Sequence, residues 1–243
     1  MSRASSLARY SFWQLRDFAI ERGVAILIIG FLWGYALIEP IRRAVGTSLP
    51  GTASPLWLVA MQISSAIVSL SVLIALNGIV SADRKAGYYR FLFSKPVNPV
   101  LFYAQLFFVY MVGVLAAMLV LSSLLHRILP AFSIPHFLLY TALVYIAMGG
   151  IGFFLSVATR YDWLTLAAVW LGARVLRGIY GPGNDWRSKL VQLLPPVHRL
   201  DDVANSLIGT GSAHMADVMW LLGYGALFFA LGLAALRWGS LAD

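Results

Sequence analysis

Four long apolar runs, separated by short charged or Pro/Gly-rich segments, constrain this chain more than any other feature. They are Leu56–Val80, Val100–Leu125, Phe137–Ala158 and Val218–Leu236. About 20 apolar residues suffice to cross a bilayer as one helix. Two shorter runs, Gly23–Ile38 and Trp163–Leu176, bring the set to six. In hydrocarbon every backbone N–H and C=O must be satisfied within the protein, which leaves helices as the natural solution for runs of this length. The expected fold class is an all-α integral membrane protein with six transmembrane helices, forming a single domain over residues 1–243. Of its residues 60% are hydrophobic and 12% charged, against about 25% charged in soluble domains. The formal net charge is +8, but the cations fall between apolar runs. They read as membrane-flank residues and not as a nucleic-acid surface. The absence of cysteine excludes disulfides, thiol catalysis and Cys-ligated metals.

Between the second and third spans lies Asp83–Val97, the longest basic-aromatic stretch. Asp83, Arg84, Lys85, Arg90 and Lys95 are costly in hydrocarbon, and the four cations favour the cytoplasmic face. Tyr88, Phe91 and Leu92 recur at helical spacing. Pro96 and Pro99 then stop any helix, because proline lacks the N–H that would continue the ladder. The segment predicts a short surface helix, aromatic on one side and cationic on the other, suited to pressing on lipid or on a soluble partner.

An acidic residue, Arg, two further residues and Gly, followed by a basic and apolar run ending in Leu-x-Ser-Lys-Pro-Val, resembles the cytoplasmic loop of ABC-2-type permeases. Those are the membrane subunits of ATP-binding-cassette transporters. The matching residues are Asp83, Arg84, Gly87, Leu92, Ser94, Lys95, Pro96 and Val97. Tyr88-Tyr89 departs from the small polar and aliphatic pair that many members carry. The resemblance implies a coupling helix that docks on the ATPase subunit, with Asp83, Arg84, Ala86, Gly87, Tyr88, Tyr89, Arg90, Phe91, Leu92 and Phe93 as its contact residues. It also implies two copies of an ABC ATP-binding subunit as partners, carrying the ATP and Mg. A second permease subunit, identical or related, would complete the translocation path. The chain itself would bind no cofactor and would not be an enzyme. Its place would be the inner or plasma membrane of a bacterium, multi-pass, with both termini cytoplasmic, and its direction export.

Met1–Arg22 is no signal peptide, since charges interrupt its apolar residues. Leu7, Phe12, Leu15 and Phe18 share a broad face, which predicts an interfacial helix in the headgroup region; the alternative is a plain extension of the first span. Gly30 and Gly34 form a GxxxG pair that would admit another helix, as in a dimer. Glu39-Pro40 is expected to end the first span. In the second span, Gln62, Ser65, Ser69 and Asn77 either bond to neighbouring helices or line a substrate path. Gly149, Gly150 and Gly152 predict tight packing or a kink. The fifth span either runs on to Tyr180, with Arg174 and Arg177 snorkelling outward, or is broken; Arg174 is also a candidate for the substrate path. Residues 178–216 form an outer segment, for which the resemblance implies short re-entrant helices. Ten of the 18 Lys and Arg fall on the inner side, so orientation leans on the Arg84–Lys95 cluster.

No phosphate-cradling G-x-x-x-x-G-K-[ST] and no G-x-S-x-G nucleophile turn occurs. ATP cannot be split here by the first route, so ATP-driven transport requires a separate chain. The grouping His198, Asp201, Asp202, His214 and Asp217 supports a rival reading as a membrane-embedded, metal-dependent enzyme. Against it, the three aspartates can simply cap or flank short helices, and no metal site is adopted. A third reading is a non-catalytic membrane anchor for a soluble partner.

Overall fold

The computed structural model describes residues 3–45, 55–85, 98–130, 132–159, 162–180 and 197–238, with Trp186, Lys189, Leu194 and Pro195. Its elements are α1 (Arg3–Phe18), a π turn (Ala19–Gly23), α2 (Val24–Val45), α3 (Pro55–Leu76), α4 (Ser81–Lys85), α5 (Pro99–Ile128), α6 (Ile134–Ala158), α7 (Asp162–Tyr180), α8 (Val197–Thr210) and α9 (Met215–Trp238). Among the described residues there is no strand. Four helical stretches there are long and apolar enough to cross a membrane: Val59–Asp83, Pro99–Ile128, Ile134–Ala158 and Met215–Arg237.

Local chemistry explains the boundaries. Asn98 caps α5, its side chain accepting from the Val100 N–H at 3.0 Å, and Pro99 fills the first turn, where no N–H is needed. α3 stops at Leu76, where the chain turns through Gly78 at φ +74°, a conformation open to glycine. The N–H groups of Val80 and Ser81 then donate to Ser156 Oγ at 3.1 and 3.3 Å, fixing the entry to α4 against α6.

Paired contacts give the helix directions. Ser11, Phe18, Gly30 and Gly34 meet Gln105, Gly113, Leu121 and Leu125 in that order, so α1 and α2 run parallel to α5. Ser65 meets Tyr140, and Val80 meets Ser156, so α3 runs parallel to α6. Gly34 meets Ile67 while Arg22 meets Ala75, so α2 and α3 are antiparallel. Gly225 and Gly232 meet Gly150 and Phe153, which sets α9 parallel to α6. The alternation puts the start of α1, the base of the Asp83 segment and the end of α9 at one end of the bundle. α8 lies at the other.

The interior is aromatic. Phe107, Phe153 and Phe229 form a cluster with ring centroids 4.5–5.8 Å apart. Buried Tyr145 donates to the Phe107 carbonyl at 2.8 Å. Outward-facing side chains are largely apolar: Phe31, Leu32 and Trp33 on α2, Leu171 and Ile179 on α7, Met219 and Leu227 on α9. That surface suits lipid and not water. The glycine cluster of α6 produces tight packing: a Cβ on Gly150 would lie 2.8 Å from the Gly225 carbonyl carbon, so α6 and α9 cross with backbones in contact.

The structure departs from the sequence expectations at several points. The first apolar helix runs through Glu39-Pro40 to Val45. Its amide ladder loses one donor at Pro40 without ending there. The Gly30/Gly34 face is filled by Leu121, Leu125 and Ile67 of the same chain, so the close approach it permits is intramolecular. α7 is continuous to Tyr180, and Arg174 pairs with Asp201 instead of snorkelling. α1 continues through the π turn into α2 and lies along α5, extending the first apolar helix. Among its described side chains Gln14 and Phe18 are buried, while Phe12 and Trp13 face outward.

Candidate functional site

α3 carries polar residues at helical spacing on its first half, where a lipid-facing helix would carry none without a role. The fold gathers them. Gln62, Ser65 and Ser69 line a cavity of about 500 Å³ with Tyr140 of α6, Trp170 and Arg174 of α7, and Leu200, Asp201, Ala204 and Asn205 of α8. Its volume falls within the roughly 300–1,000 Å³ of small-molecule sites. The cavity opens at the α8 end of the bundle.

Its floor is the 2.8 Å hydrogen bond between Ser65 Oγ and the Tyr140 hydroxyl, which is buried. At its rim the Arg174 guanidinium donates to both carboxylate oxygens of Asp201, at 3.0 and 2.8 Å. The two charges cancel, so the cavity is polar without a net charge. The Gln62 and Asn205 side chains are exposed and make no hydrogen bond among the described residues. Trp170, Met61 and Leu200 supply an apolar wall. α8 is held over the site from behind: Arg199 pairs with Asp217 at 2.6 Å and lies 5.1 Å over the Trp220 ring, tying α8 to the first turn of α9.

The opposite end of α3 forms a second polar group. Arg22, leaving the π turn, donates to the Ala75 carbonyl and stacks 4.7 Å over the Tyr110 ring. A cation there meets the negative end of the α3 dipole. Asp83 accepts from the Tyr103 hydroxyl at 3.1 Å. The base of the Asp83 segment is thereby tied to α5, to α6 through Ser156, and to the π turn through α3.

Of the residues singled out in the sequence, Gln62, Ser65, Ser69 and Arg174 share the cavity. Asn77 does not: it is exposed in the turn beyond α3, two helical turns past Ser69. Asp83 and Arg84 lie in α4. Ala86, Gly87, Tyr88, Tyr89, Arg90, Phe91, Leu92 and Phe93, with the Ser94–Val97 motif, fall outside the described residues. The His/Asp grouping does not converge: Asp201 is engaged by Arg174 and Asp217 by Arg199, and among the described residues no three potential ligands gather. His198 has its Nδ1 buried without a partner. Burial first, then the Arg177 and Arg199 cations, push its pKa down to about 4.

Tyr140, Trp170, Asn205 and Arg22 escaped the sequence reading. A tyrosine within an apolar run is a usable signal, since its hydroxyl needs a partner there. The Arg174–Asp201 pairing, across 27 positions, leaves no local trace. No family model, curated protein or solved structure matches the chain.

Proposed function

We propose that this chain is the membrane-spanning subunit of an ABC-2-type transporter, an ATP-driven exporter whose ATPase is a separate polypeptide. The observation that carries the reading is the placement of α3. One end lines the polar cavity, and the other leads through the Asn77–Lys85 turn into the segment whose Asp83–Val97 motif resembles a coupling loop. α3, continued by the Gly78 turn and α4, therefore joins a ligand-sized space to the start of that motif, as a switch between two packed arrangements requires. The alternating helix directions support six spans, with α2 and α7 joining the four longest and both termini cytoplasmic. On this reading α8 would be the outer re-entrant element. Exposed Phe12 and Trp13, with Arg16 5.2 Å over the Trp13 ring, suit α1 to the headgroup layer. Two such subunits would enclose the path, and two ATPase subunits would bind ATP and Mg below them.

The test is co-purification with an ABC ATPase encoded beside this chain, in nanodiscs, comparing wild type with Gly87→Pro combined with Arg90→Glu. The expected result is a complex that the double change breaks or uncouples from ATP turnover. Failure of any ATPase to associate, or a folded double variant that behaves as wild type, would remove the coupling-loop reading. Association with no effect on turnover would identify an anchor instead of a transporter subunit.

A further inference from the structure

The cavity polar groups specify what it holds. Arg174 Nη2 donates to both carboxylate oxygens of Asp201, so the two opposite charges offset each other at the rim. Gln62 and Asn205, from two different helices, each present a side-chain amide with a donor and an acceptor side by side. Ser69 adds a hydroxyl to the same wall. The ion pair retains outward N–H groups and carboxylate lone pairs, so it too presents a donor beside an acceptor. Neighbouring hydroxyl groups on a ring carbon skeleton match that alternation, because each hydroxyl both donates and accepts. Trp170 lines the same space, and an indole ring is an apolar surface of the kind against which the C–H side of such a ring packs. A phosphate or ammonium group would have to compete with the opposite charge of the Arg174–Asp201 pair; a neutral ring with several hydroxyls uses the site as it stands.

We propose that the cavity between α3, α6, α7 and α8 binds a neutral, polyhydroxylated group of hexose size, either as a free sugar or as the headgroup of a glycolipid. This rests on the reading of the cavity as a substrate path. Polar side chains from four helices converge on one space in a bundle whose outward-facing side chains are largely apolar, and intramembrane polar groups of that kind mark ligand pathways.

The test uses the full chain in nanodiscs of phosphatidylethanolamine and phosphatidylglycerol. Methyl β-glucoside in solution, glucosyl-diacylglycerol incorporated in the disc, and phosphocholine are compared by calorimetry and native mass spectrometry. One of the two glucosides is expected to bind and phosphocholine is not. Binding of the soluble glucoside assigns the free sugar, and binding of the lipid alone assigns the headgroup. Gln62→Leu and Asn205→Leu should each weaken binding roughly tenfold, as loss of a hydrogen bond to a neutral group does. Gln62→Ala and Asn205→Ala replace them if leucine disturbs folding. Ser123→Ala, exposed on α5 away from the cavity, should change nothing. Binding of phosphocholine that is lost in Arg174→Gln, absence of binding by either glucoside, or glucoside binding indifferent to positions 62 and 205 would each overturn the proposal. ATPase co-purification of the same variants separates the two failures: an intact complex without glucoside binding refutes the ligand class alone.

Discussion

Gly150→Ala is expected to be among the most damaging single-methyl changes in the bundle. The added Cβ would lie 2.8 Å from the Gly225 carbonyl carbon and 3.0 Å from its Cα, with the carbonyl oxygen nearer still. Carbon atoms pack at about 3.5–4.0 Å. The obstruction is backbone, so no side-chain rotation relieves it, and α6 and α9 must part by about 1 Å. A gap of 0.5–1 Å forfeits a quarter to a half of each dispersion contact along the crossing. The Phe229 pairs with Phe107 and Phe153, and the Phe228 pair with Phe154, lie on this interface. Overpacking typically costs about 1–3 kcal/mol. Loosening the aromatic cluster as well places this site at the upper end, about 3 kcal/mol, or roughly a hundredfold in the folded/unfolded ratio. Reversible unfolding by SDS titration in mixed micelles reads the change. Gly223→Ala, with nothing within 4 Å of the new Cβ, is the control and should be neutral or slightly stabilising. Gly225→Ala should resemble Gly150→Ala, and the double variant should cost less than the sum, since one separation serves both. Equal behaviour of Gly150→Ala and Gly223→Ala would refute the backbone-contact account.

Arg22→Leu should lower stability by about 2 kcal/mol through loss of a charged hydrogen bond and a ring contact, with Arg22→Lys recovering part of it; the same titration measures both. A double-mutant cycle on Arg174→Gln and Asp201→Asn should give only about 0.5–1 kcal/mol of coupling, because the side chains are 58% and 44% exposed and solvent screens them; a much larger coupling would mean the pair is buried in the membrane assembly. His198 has a folded pKa near 4 against about 6.5 when unfolded, so the unfolded chain takes the proton first. Its contribution is complete above pH 6.5 and declines as the pH falls towards 4. Thermal midpoints across that window should fall less in His198→Gln than in wild type.

The apolar runs announced a helical membrane protein, and the structure has that character because run length and charge placement act locally. Gln62, Ser65 and Ser69 were readable as a set since one helix carries all three at turn spacing. Asn77 carried the same signal but falls past the end of α3, in the glycine turn itself, which its position in an apolar run conceals. The segment after α7 hid the rest: Asp201 and Asn205 reach the cavity only because the apolar face of α8, Leu200, Val203, Ala204 and Leu207, is buried against the bundle. Pro40 misled in the opposite sense, since one missing N–H does not terminate a helix that is otherwise continuous. The face drawn through Leu7, Phe12, Leu15 and Phe18 assumed a simple α-helix in isolation; docking along α5 does bury Phe18, but with Gln14 beside it, and leaves Phe12 exposed.

Gln14, Phe18, Gly23, Ile26, Gly30 and Gly34 form an unbroken buried seam, with one interval of five where the π turn lies. Removing one residue there, such as exposed Ala19 or Ile20, would return that interval to four and leave the seam in phase. Elsewhere in α2 a deletion would rotate the remaining residues by about 100° off their contacts. The chain is thus one residue longer at this point than its packing needs. What the extra residue does is turn Arg22 aside, out of the seam and onto the last turn of α3. π turns are frequent at functional positions, and this is the segment in which a shortened sequence would fold yet lose its grip on the Asp83 end.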